Sequence, residues 1–314
     1  MKMTIKQMIF KDQLGNIEKV EAKDIDRLFY LTSIDFKKKA VLSLIKKPKY
    51  ALVILSLLFG GAIRKINKKS PAITDASYLR ATKNTKSTIG KPIELTLVLD
   101  NGLPISFNTL NCHICNILGD IQGIFIKNQY NIQPEKIRDK VVLDCGAHHG
   151  VFSIYASILG AKKVYSFEPV SNTFNVLSYN IKQNELHKNI FPINMGVGEK
   201  NKEAQIFFNI SSDGSASLHK EGKDFEKIKI TSLDAFVKLK KIDKIGLIKM
   251  DIEGNEEEAL IGANRIIKKD KPILTFSAYH KKDDKIKLPK RVLSIRSDYK
   301  IKLLKSFEED FYCE

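Results

Sequence analysis

The chain has 314 residues, 43% of them hydrophobic and 28% charged, which excludes a disordered composition and leaves room for one large α/β domain plus an extension. Its formal net charge is +17, from 53 Lys and Arg against 36 Asp and Glu. A nucleic-acid partner, an anionic membrane surface and a general lysine bias all fit that sign. The lysines are spread along the whole chain without an aromatic-interleaved basic block, so the general bias is preferred and nucleic acid is not an expected partner. Four unevenly spaced cysteines make no disulfide framework, and a reducing, cytoplasmic setting is expected.

Residues 1–92 read as an N-terminal extension. Residues 1–30 carry charges and lack a long apolar run before a small-residue cleavage site, so no secretory signal is expected. From Tyr50 to Ile63 the chain is free of charge, but this run is short of the roughly 20 residues that span a bilayer. Its flanks are basic: Lys37, Lys38, Lys39, Lys46, Lys47, Lys49, Arg64, Lys65, Lys68 and Lys69. A helix packed on the catalytic domain with snorkelling lysines fits the segment, and so does peripheral contact with anionic membrane through residues 37–69. Residues 64–92 read as a linker or irregular cover. Residues 93–135 form a cover region that opens with alternating apolar and polar residues around Asp100-Asn101-Gly102, a β-hairpin signal. Cys112 and Cys115 have C-x-x-C spacing but no second pair, so they read as small thiols and no metal is expected.

From residue 136 to 314 the pattern is that of one α/β domain. Val141-Val142-Leu143 leads into Asp144-Cys145-Gly146-Ala147-His148-His149-Gly150, and a helical stretch follows, closed by Gly160. A second strand, Val164 to Phe167, ends in Glu168. A helix from Ser171 to Asn184, with Ser171 as its cap, precedes a third strand from Ile190 to Asn194. After an insert come a fourth strand from Ile245 to Met250, a helix from Asn255 to Lys268, and a fifth strand from Pro272 to Ala278. Such alternation predicts a doubly wound, Rossmann-like parallel sheet with right-handed crossovers. Asp144, Glu168 and Asp251 each fall at a strand's carboxyl end, where ligands of open α/β sheets bind.

The loop Asp144-x-Gly146-x-x-x-Gly150 lets the backbone turn sharply and approach a ligand. Glu168 is placed to accept both hydroxyls of a ribose. Asp144 is expected to orient the loop and to reach the cationic amino end of a cofactor. The dinucleotide fingerprint G-x-G-x-x-G is absent, since position 148 is His, and an acid beside the loop disfavours phosphate. S-adenosylmethionine, with a positive sulfonium and no phosphate, suits an acid-lined site.

Residues 141–280 resemble the FkbM-type methyltransferases. The matching stretches are VVLDCGAHHGVFSIYASILGAKKVYSFEP, NVLSYNIKQN, DGSASL, and TSLDAF followed by IGLIKMDIEGNEEEALIGA. The resemblance implies a class I, S-adenosylmethionine-dependent enzyme that methylates a hydroxyl of a glycan, lipid or natural-product-like acceptor. It also implies Asp144, Gly146, Ala147, Gly150 and Glu168 as cofactor contacts. The sequence departs at His148-His149, where the family more often has Asn and Ile. Adjacent side chains rarely point one way, so at most one of these histidines is expected to face inward. Asn180 and Asn184 match family positions and serve either the site or the fold.

Methyl transfer to an alcohol needs alignment and removal of a proton. Asp251 and Glu253, just past the fourth strand, are candidates for the base or for holding a divalent cation. His280, after the fifth strand, is a third candidate, with an ordinary pKa suited to base work near neutrality. Lys249 shares a strand face with Asp251 and is expected to pair with it. Two rivals remain. One is a nucleic-acid methyltransferase, although the aromatic Asn/Asp-Pro-Pro-Tyr type of motif is replaced by Asp251-Ile-Glu-Gly. The other is an inactive, membrane-recruited module that keeps the fold.

Overall fold

The computed structural model describes residues 4–11, 17–22, 25, 92–110, 114–208, 216–217 and 224–314. The apolar run at 50–63, its basic flanks, most of residues 64–92, Cys112 and most of DGSASL lie outside the described residues. Among the described residues no helix is long and apolar enough to cross a membrane. The chain divides into two compact units, one of Ile5–Gly119 with Ile210–Gly214, the other of Met1–Thr4, Asp120–Asn209 and Ser215–Glu314.

The first unit holds an antiparallel sheet of β1 (Ile5–Lys11), β2 (Ile17–Glu21), β3 (Pro92–Leu99) and β4 (Pro104–Leu110), in the order β2-β1-β3-β4. The expected hairpin joins β3 to β4. Gly102, at φ +82°, takes the left-handed position, and Asn101 Oδ1 accepts the Leu103 amide at 3.0 Å. Period-two alternation decides its faces. Leu95, Leu97 and Leu99 are buried, opposite Phe107 and Ile105 of β4 and Phe10 and Met8 of β1.

The second unit is built on a seven-stranded sheet. In chain order its elements are α1 (Ile114–Ile121, which enters the unit at Asp120), a π-helical turn (Gln122–Ile126), α2 (Pro134–Ile137), β5 (Val141–Cys145), α3 (Val151–Ile158), β6 (Lys163–Phe167), α4 (Ser171–Gln183) and β7 (Ile190–Ile193). A small sheet follows from β8 (Gly196–Val197), β9 (Lys202–Phe208), β10 (Ala216–Ser217) and β11 (Asp224–Thr231). Then come α5 (Leu233–Leu239), β12 (Leu247–Met250), α6 (Glu256–Gly262), α7 (Asn264–Asp270), β13 (Ile273–Ser277), α8 (Asp284–Ile295), β14 (Ile301–Leu304) and β15 (Asp310–Cys313).

The main sheet runs β14-β15-β13-β12-β5-β6-β7. From β13 to β7 it is parallel, and β15 lies antiparallel between β13 and β14. Its central strands are apolar on both faces, as a sheet covered by helices on both sides requires: Leu143, Phe167, Ile248, Met250, Leu274 and Phe276 are buried. The order reverses between β5 and β12, and this reversal opens the crevice where ligands of such sheets bind. The fold is the doubly wound, Rossmann-like α/β sheet that the strand–helix alternation predicts.

Two local expectations change. Val170, not Ser171, occupies the cap position of α4, and the amide and hydroxyl of Ser171 both bond to the Glu226 carboxylate on β11. The helix expected from Asn255 to Lys268 is two helices broken at Ala263. At its start Asn255 donates to Val197 O at 2.7 Å rather than capping. The tail after residue 280, which carries no strong period, supplies α8 and the two outer strands.

Candidate active site

The loop after β5 and the turn after β12 touch. A Cβ on Gly146, at φ +79°, would sit 1.9 Å from Asp251 O, so only glycine lets these two turns meet. The Gly146 and Ala147 amides both donate to Phe167 O, at 3.0 and 2.9 Å, which ties the loop to the end of β6. Gly150, at φ +89°, opens α3, where a Cβ would press on Leu177. Asn180 is fully buried and donates to His149 O at 2.9 Å, so it braces the loop from α4. Asn184 in turn donates to Asn180 O.

Asp144 turns inward. Its carboxylate is fully buried, accepts the Ser153 hydroxyl at 2.6 Å and lies 3.1 Å from Lys249 Nζ. Lys249 therefore pairs with Asp144 rather than with Asp251 as expected, because its ammonium reaches across to the neighbouring strand β5. It also donates to Gly146 O at 2.7 Å. Burial alone would lower the Lys249 pKa, but the Asp144 and Asp251 carboxylates outweigh it and hold the pKa raised. Asp144 thus orients the loop through Lys249.

Glu168 follows β6 and is buried. One carboxylate oxygen accepts the Val170 amide at 2.9 Å and the other the His148 amide at 3.1 Å. Burial raises its pKa, against the charge of His148 and these two amides. A carboxylate offers about four lone-pair sites, so these two bonds leave capacity for a diol. That acceptor capacity, the close approach allowed at Gly146 and the absence of a phosphate-binding glycine pattern fit S-adenosylmethionine. In that fit Glu168 would hold the ribose hydroxyls and the 146–150 loop would flank the methionine end.

Asp251 follows β12. Its carboxylate accepts the Tyr130 hydroxyl at 3.0 Å and lies 3.6 Å from His280 Nε2. Burial alone would raise its pKa, but Lys249 and His280 outweigh it and hold the carboxyl below the usual range. His280 bridges two acids, since its Nδ1 lies 3.1 Å from Glu256 Oε1. Burial works against a charged ring here, yet the Glu256 hydrogen bond and the charges of Glu256 and Asp251 raise the His280 pKa from 6.5 to about 9. This departs from the expected neutral base: near neutrality His280 is an imidazolium held between carboxylates. Glu253 sits in the turn after Asp251 at φ +54°, half-buried.

Three contributors were not anticipated. Tyr130 comes from the cover region, packs edge-on against Phe152, and is nearly fully buried. Asp310 begins β15, is fully buried, and accepts the Ser277 hydroxyl at 3.3 Å. Burial, then the charges of Asp251 and Glu308, push its pKa from 3.8 to about 8. Glu308 accepts the Tyr279 hydroxyl at 2.8 Å. The only sequence signal of Glu308 and Asp310 was an acid-aromatic cluster, Glu308 to Tyr312, in an otherwise lysine-rich tail, and Tyr130 had none.

Among known proteins, a crystal structure of methyltransferase FkbM from Methylobacillus flagellatus is 22% identical, with a TM-score of 0.44, over 66% of this chain and 56% of that one. The precorrin-6y C5,15-methyltransferase of Geobacter metallireducens is 15% identical, with a TM-score of 0.36, over 60% of this chain and 82% of that one. The protein N-terminal and lysine N-methyltransferase EFM7 of Kluyveromyces lactis is 35% identical over 63 residues, 20% of this chain. The chain spans 23% of the length of that curated relative. Residues 144–302, just over half of the chain, match the family described as Methyltransferase FkbM domain. The chain belongs to the FkbM methyltransferase family, whose cofactor is S-adenosylmethionine.

Proposed function

We propose that this protein is an S-adenosylmethionine-dependent O-methyltransferase acting on a hydroxyl of a glycan, lipid or natural-product-like acceptor. The observation that carries the reading is the Asp251 carboxylate, set in the turn that touches the cofactor loop and held by Tyr130 and His280. When bound, the cofactor supplies a sulfonium methyl group. Asp251 accepts the hydrogen bond of the acceptor hydroxyl, aims its oxygen toward that methyl and takes up its proton, while the sulfur that gives up the methyl would leave as a neutral thioether. His280, already charged, positions Asp251. Glu253 lines the same turn and contacts the acceptor. Neither Cys145 nor Cys313 competes as the nucleophile: burial raises the Cys145 pKa, and pushes that of Cys313 to about 12. The basic-flanked run at 50–63 supports recruitment to anionic membrane, to be checked by sedimentation with anionic vesicles.

Labelled methyl transfer from S-adenosylmethionine into glycan, lipid and protein fractions tests the reaction. Label in the glycan or lipid fraction, stable to alkali as an ether is, supports the proposal. Label confined to protein amines would sink it in favour of the chemistry named for the Kluyveromyces lactis relative.

A further inference from the structure

The two histidines that replace the family's usual residues in the loop point to one place. His148 Nδ1 lies 3.0 Å from His149 Nδ1 and 3.0 Å from Asp120 Oδ2. One donor atom from each of the three residues lies within 4.8 Å of the other two. Both rings lie together here, with His149 buried and His148 partly exposed. The reason is local: His148 is at φ +50°, and this left-handed residue swings both rings to the same side, 3.9 Å apart and at 72° to each other. Asp120, at the end of α1, completes the set.

A hydrogen bond from His148 Nδ1 to Asp120 accounts for one of its two 3.0 Å contacts, not for both. A ring nitrogen carries either one hydrogen or one lone pair. One hydrogen on His148 Nδ1 cannot give straight bonds to both Asp120 and His149. If that nitrogen carries a lone pair instead, it faces the acceptor oxygen of Asp120. A cation among the three atoms faces only lone pairs. Zinc–nitrogen bonds of about 2.0–2.1 Å put tetrahedral ligand atoms roughly 3.3 Å apart, close to the 3.0 Å seen here. The other acid–histidine cluster lacks this property, because His280 uses its two nitrogens on two different carboxylates. Lys249, the cation beside the loop, is already paired with Asp144.

We propose that Asp120, His148 and His149 form a binding site for a divalent first-row transition ion of the zinc type, which clamps the 146–150 loop to the end of α1. Imidazole and carboxylate donors suit such ions. His149 is buried, whereas the side chains of His148 and Asp120 are 28% and 35% exposed, so an ion can reach the cluster from solvent.

The test is cobalt and zinc titration of the full-length protein after chelator treatment and dialysis, with no cofactor present, so that its failure leaves the methyltransferase reading standing. The expected result is one equivalent of Co²⁺ with a visible tetrahedral-type band and a raised melting temperature. Asp120→Asn and His148→Asn should each weaken uptake by at least about tenfold, since losing even an outer-shell partner costs roughly 10–100-fold. His149→Gln is the second route if either variant folds poorly, judged by circular dichroism. His280→Asn and Cys115→Ser should leave uptake unchanged. No stoichiometric uptake overturns the proposal. So does uptake that survives Asp120→Asn and His148→Asn, or a thiolate charge-transfer band lost in Cys115→Ser.

Discussion

Lys249→Met is the perturbation that best probes how the cofactor loop is held. Met keeps the length of the side chain and removes the charge. Asp144 would then remain fully buried with only the Ser153 hydroxyl on its carboxylate, and Gly146 O would lose its donor. Removing one member of a buried ion pair costs roughly 3–5 kcal/mol, because the partner charge is stranded. At about 2–4 °C per kcal/mol for a domain of this size, the melting temperature should fall by roughly 6–20 °C. Asp144→Asn combined with Lys249→Met should recover part of that loss, since neither charge is left alone. Differential scanning calorimetry of the two single variants and the double variant gives the coupling. A loss below about 1 kcal/mol in Lys249→Met, the level of an exposed pair, would refute the account of a buried strut.

Three further outcomes follow from the site. His280 has a folded pKa raised from 6.5 to about 9, so its contribution to stability is full below 6.5 and is lost as pH rises through about 9. Denaturant melts across that window should show the loss, roughly 3 kcal/mol at most, and His280→Asn should flatten it. Asp310, raised from 3.8 to about 8, costs stability as pH rises through that range. Asp310→Asn should therefore raise the melting temperature at pH 8 relative to wild type and change little near pH 4. Tyr130→Phe removes the hydroxyl that donates to Asp251, and a hydrogen bond to a charged group is worth roughly 1.5–3 kcal/mol. With Asp251 mis-set, turnover should fall while affinity for S-adenosylhomocysteine holds; an equal fall in both would remove Asp251 from the acceptor side.

The parallel half of the fold was legible because its signals are local. Apolar runs ending in Asp144, Glu168 and Met250-Asp251, each followed by a helical period, give strands β5, β6 and β12 and their order in the chain. The acids at the strand ends follow from that pattern. What was not legible depends on distance in the chain. Tyr130 lies 121 positions before Asp251 and meets it only in the folded chain, through a contact that no local period announces. Asp310 sits on a four-residue strand whose place between β13 and β14 no period announces. The direction of Asp144 turned on which of two nearby acids captured Lys249, and a strand pattern shows a residue's face, not its partner. The histidine pair turned on a single left-handed residue, His148, a conformation that is uncommon outside glycine and that sequence alone does not announce, although histidine, like asparagine and aspartate, adopts it more often than most residues.

The central claim, an S-adenosylmethionine site at the ends of β5, β6 and β12, is tested most directly by calorimetric binding of S-adenosylhomocysteine to wild type and to Glu168→Ala. The account predicts one site per chain, weakened by the substitution by roughly 1.5–3 kcal/mol, about tenfold to a hundredfold in affinity. No heat and no thermal stabilisation at saturating ligand, or binding that Glu168→Ala leaves unchanged, would contradict it.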